Sequence, residues 1–64
     1  MAQITEKELS ALGDLLTFEQ LAVAKYKEAK SNTQDAALAA TFTQMAERHQ
    51  RHFDELYTNL KRGE

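Results

Sequence analysis

The chain reads as all-α: a two-helix antiparallel hairpin whose copies pair into a four-helix bundle. Three observations predict this. The 64 residues contain no proline, and glycine stands only at positions 13 and 63, so nothing breaks two long helices. Two segments of about 25 residues, about 38 Å long at the α-helical rise, carry helical apolar periodicity around a polar break. The apolar stripe on each is wider than a two-stranded seam requires.

The first helix opens on Thr5-Glu6-Lys7-Glu8, a capping box in which the Thr5 hydroxyl accepts from the Glu8 amide and the Glu8 side chain reaches back. Its period runs to about Lys30. Lys25, Lys27 and Lys30 gather toward the C-terminal end, where the helix dipole favours cations. Gly13 lies inside this helix at a cost of about 1 kcal/mol against Ala, with a close helix approach as its one structural use. Ser31-Asn32-Thr33-Gln34 has turn and capping chemistry, and Asp35 starts or caps the second helix with the favourable sign of charge. That helix runs to about Lys61, with Lys61 and Arg62 at its negative end and Gly63 as a C′ stop.

Leu12, Leu15, Leu16, Glu19, Ala22, Val23 and Tyr26 mark one face of the first helix. Leu38, Phe42, Met45, His49, His52, Leu56 and Asn59 follow a 4-3-4-3-4-3 spacing on the second. On that helix Ala39, Ala46, Phe53 and Leu60 widen the stripe further. Two helices alone leave much of these stripes wet, so the economical solution is two hairpins packed face to face as a homodimer. The isolated hairpin is expected to be marginal.

Composition removes several classes. Residues 1–64 form a single domain with 42% apolar residues, an ordinary globular fraction. Without cysteine there are neither disulfides nor thiolate metal sites. A net charge of −2 with mixed signs gives no basic footprint for nucleic acid. No apolar run reaches the ~20 residues that span a bilayer, and no signal-peptide pattern leads the chain, so a soluble cytoplasmic protein is expected. No Ser/His/Asp set, glycine-rich phosphate loop or nucleotide motif is present, and an enzyme is not expected.

Glu19, His49 and His52 interrupt the apolar stripes. Glu19's neighbours at three and four residues are Leu15, Leu16, Ala22 and Val23. With a turn near residue 33 or 34, antiparallel pairing sets Glu19 opposite roughly residue 48, beside His49, with His52 one turn away. Carboxylate oxygen and imidazole nitrogen suit zinc, iron or manganese, and a twofold dimer would gather two Glu and four His at its axis. A Glu–His cluster satisfied by its own hydrogen bonds needs no metal, and both readings stand at this point. Tyr26 shares this face, either as a core tyrosine with a hydrogen-bonded hydroxyl or as a donor beside the site. Met45 is core filler, while Arg48, Arg51 and Glu47 form a solvated face.

Leu15-Leu16-Thr17-Phe18-Glu19-Gln20-Leu21-Ala22-Val23-Ala24-Lys25-Tyr26 is similar to the first helix of a ferritin-like half-bundle, in which a core Glu is followed by Tyr seven residues on. The run from Asp35 through Phe42, Met45-Ala46, His49 and His52 to Leu56 resembles the second helix. Over residues 9–60 the chain most resembles the coat F family of bacterial endospore coat proteins, within the ferritin-like superfamily. The resemblance implies a ferritin-like four-helix bundle, a structural role on the endospore coat and contacts with other coat proteins. It also implies, as the alternative function, a small metal-handling or redox protein. Glu19 matches the first-helix carboxylate and His52 the His of the superfamily's Glu-x-x-His motif. His49 stands where the bridging Glu belongs, and an imidazole cannot bridge two metals as a carboxylate does. A dimer would hold two carboxylates where the di-iron pattern supplies four, which disfavours an oxygen-activating iron pair. Glu47 is no replacement, because two positions turn it about 200° around the helix.

Overall fold

The computed structural model describes residues 4–63, and these form two helices joined by a tight turn: α1 spans Glu6–Asn32 and α2 spans Ala36–Gly63. The capping box forms as the sequence requires. The Thr5 hydroxyl oxygen accepts from the Glu8 amide at 3.1 Å, and Glu8 Oε1 accepts from the Thr5 amide at 3.2 Å. The break falls at Thr33–Asp35, a little later than expected, because Ser31 and Asn32 complete the last turn of α1. The Thr33 hydroxyl accepts from the Asp35 amide at 3.2 Å, and Asp35 Oδ1 then accepts from the Leu38 amide at 3.0 Å, which caps α2. At the far end, Gly63 does not serve as a left-handed stop: it is the last residue of α2, and no described glycine has positive φ.

The helices pack antiparallel along one seam. On α1 the covered positions Leu12, Leu16, Glu19, Val23 and Tyr26 repeat at 4-3-4-3 spacing, and Phe42, Ala46, His49, Phe53, Leu56 and Leu60 are covered at 4-3-4-3-4 spacing on α2. The molecule measures 47 × 16 × 10 Å, a ribbon one helix thick. Such a ribbon has no interior. Only Val23, Ala46 and Glu19 are buried among the described residues, and no side chain is fully enclosed.

The width of the stripe therefore goes uncovered within one chain. Leu15 and Leu38, expected on the packed faces, stand 48% and 47% exposed, because a single partner helix covers only the side chains aimed straight at it. Leu9, Phe18, Leu21 and Tyr57 are exposed to a similar or greater degree. Gly13 is exposed as well, and a Cβ added there would meet nothing within 4 Å, so no close approach inside the hairpin calls for it.

Candidate Glu–His site

The seam that joins the helices also builds the site. Glu19 lies midway along α1, where the 4-3 repeat turns it toward α2, and His49 and His52 lie one turn apart on the facing stripe. Glu19 Oε1 is hydrogen-bonded to His49 Nδ1, and Glu19 Oε2 faces His52 Nδ1 at 3.4 Å. Pairing opposite residue 48, expected from the turn position, thus arrives within one residue. A carboxylate among apolar neighbours needs partners: His49 hydrogen-bonds one oxygen, and the His52 ring nitrogen lies within ion-pair range of the other. No buried side-chain polar atom among the described residues lacks a partner.

The two histidines differ in access. The His49 side chain is 17% exposed, whereas His52 is 43% exposed and opens into a groove lined by Leu15, Glu19, Glu55, Leu56 and Asn59. Aromatic rings fix the inner one. Tyr26 stacks on His49 at 5.6 Å with planes 16° apart, and Phe18 approaches His49 edge-on at 6.2 Å. Phe42 backs Tyr26 at 6.2 Å, and the His52 ring stands edge-on to His49 at 5.7 Å. Tyr26 thus meets the site with its ring face, not with the hydroxyl the sequence suggested. Phe18 escapes the 4-3 reading because it lies on the flank, one position before Glu19. Its only sequence signal is a large aromatic side by side with the buried acid.

The donor set determines what the cluster can hold. One oxygen and two nitrogens from Glu19, His49 and His52 lie within 4.8 Å of one another. A tetrahedral divalent ion at ~2.0–2.1 Å from its ligands separates them by about 3.4 Å, so small side-chain rotations would close the three around one ion. An ion held through the two Nδ1 atoms would need both free of protons, with any N–H of the neutral rings carried on Nε2. One carboxylate with two imidazoles fits a single nitrogen-rich ion. It does not fit a carboxylate-bridged pair. Glu47 is exposed and lines a different groove with Lys27 and Lys30, and so supplies no second acid.

Comparison of the chain with protein-family models, with curated proteins and with solved structures finds no match. Among the described residues, no helix is long and apolar enough to cross a membrane.

Proposed function

We propose that this chain is a structural and assembly protein, similar to an endospore coat component, that acts as a dimeric helical bundle. The observation that carries this is the imbalance of its surface: among the described residues three are buried, while six large hydrophobic side chains are 46–61% exposed. Apolar surface contributes about 25 cal/mol per Å² when removed from water, and a hairpin this thin leaves about half of each of these six side chains in water. Its broad face of 47 × 16 Å, about 750 Å² in outline, is close to the ~800 Å² that each partner gives a standard interface. A homodimer is the smallest object that covers both stripes, and its charged outer faces are left for contacts with other coat proteins. No chemistry is needed for such a role.

Sedimentation equilibrium tests it. The dimer is expected to dominate at micromolar concentration, and a folded, stable monomer at about 100 μM would remove the reading.

A second reading, a small metal-handling protein, is favoured by the convergence of Glu19, His49 and His52. Zinc, iron or manganese would be held by one carboxylate oxygen and two imidazole nitrogens, and supply a positive charge beneath the exposed His52. Elemental analysis of untagged protein after reconstitution is expected to give near-stoichiometric metal, lost in His52→Ala. Less than about 0.1 equivalent per protomer leaves a hydrogen-bonded cluster that only fixes helix register.

A further inference from the structure

One flank of α1 carries a stripe that α2 covers at most in part: Ala22 and Ala29 are half-buried and its other four residues are exposed, while Leu9 and Leu21 stand exposed off it. Ala11, Leu15, Phe18, Ala22, Lys25 and Ala29 repeat at 4-3-4-3-4 spacing, a second seam beside the one that packs on α2. Like any stripe of this spacing, it can be reversed onto itself. Reversed about residue 20, the stripe falls on itself: Ala11 exchanges with Ala29, Leu15 with Lys25, and Phe18 with Ala22. An isologous twofold contact needs this self-complementarity, because each residue meets its counterpart twice.

We infer that a second copy of this chain packs on this flank, α1 against α1 and antiparallel, with the twofold axis near residue 20. The inference rests on the dimeric reading above and specifies which helices meet and in what register. Large then meets small, with each Phe18 over the partner's Ala22, and the Ala11–Ala29 pairs let the helix ends close. Lys25 lays its aliphatic stem along the partner's Leu15 and carries its ammonium to the partner's Asp14, a pairing that occurs twice. Among the described residues of one chain, Lys25 has only a loose contact with Glu28, 3.9 Å away with both side chains more than 60% exposed. Leu21, the most exposed of the six large hydrophobics at 61%, borders the stripe and covers the partner's Phe18 from outside.

The matching flank of α2 argues against the rival arrangement. Thr41, Met45, Arg48, His52, Glu55 and Asn59 hold the same spacing, but one residue of the six is apolar and reversal sets Arg48 against the partner's His52. Four of the six exposed large hydrophobics belong to α1. The drier helix makes the closer contact.

Two measurements test the register. A spin label on Gln34→Cys, at the exposed turn, marks one end of each hairpin. Antiparallel packing about residue 20 places two such labels about 40 Å apart along the bundle, at 1.5 Å per residue. A separation below about 25 Å means that the turns lie at one end, and overturns the inference. Charge reversal gives the second readout. Asp14→Lys and Lys25→Asp alone are each expected to weaken the dimer about tenfold at low salt, and the double variant to return to within about threefold of the parent. Both positions are exposed within the hairpin, so circular dichroism of each variant should keep the parent's helicity. Dimers indifferent to all three variants overturn the inference and leave the bundle standing. An unmodified chain that stays monomeric overturns both.

Discussion

At the scale of single residues, two polar decisions shape the molecule. Glu19 is a costly choice for a covered position, and the structure offsets it locally by giving each carboxylate oxygen an imidazole. The identities of these three residues, and their meeting, were legible from spacing alone: a charge inside a 4-3 repeat and two imidazoles three apart can face only the opposing helix. Their surroundings were not. Whether Tyr26 offers a hydroxyl or a ring face depends on its rotamer, and Phe18 enters from a flank position outside the 4-3 repeat that faces α2. Gly13 is the opposite case, a residue whose presence nothing in the hairpin explains. With open space around it, Gly13→Ala is expected to raise stability by about 1 kcal/mol through helix propensity and reduced freedom of the unfolded chain. Chemical denaturation measures this. A loss of stability would mean that another chain approaches Gly13 in solution.

At the scale of elements, helix starts were easier to place than helix ends. N-caps are local chemistry: Thr5 with Glu8, then Thr33 and Asp35 with the first turn of α2, each use a side chain within three residues. Ends depend on competition. Asn32 and Ser31 have weak helix propensity, yet α1 continues through them, and Gly63 stays helical where a left-handed stop was expected. The caps also matter more here than in a thick domain, because so little packing supports each helix. Thr5→Ala is expected to cost about 1 kcal/mol and to fray the first turn, seen as faster amide exchange at the start of α1 with little change in α2. Uniform destabilisation of both helices would show instead that the hairpin melts only as a unit.

At the scale of the whole molecule, the fold class followed from the absence of proline and the single polar break, and the hairpin has the expected antiparallel pairing. The degree of burial did not follow in the same way. A stripe three residues wide per heptad says that something must cover it, while which side chains the near partner reaches is set by the line of contact between two helices. That is why Leu12 and Leu16 are covered and Leu15 between them is not. The melting temperature of the dimer proposed above is therefore expected to climb with protein concentration, by mass action, and a melting point that ignores dilution would contradict it.

A ribbon 10 Å thick has one more implication. No backbone segment lies deeper than a single side chain from water, so an unpaired copy offers proteases nearly its whole length whenever it breathes. On the dimeric reading proposed above, copies that stay unpaired would be the first to be degraded.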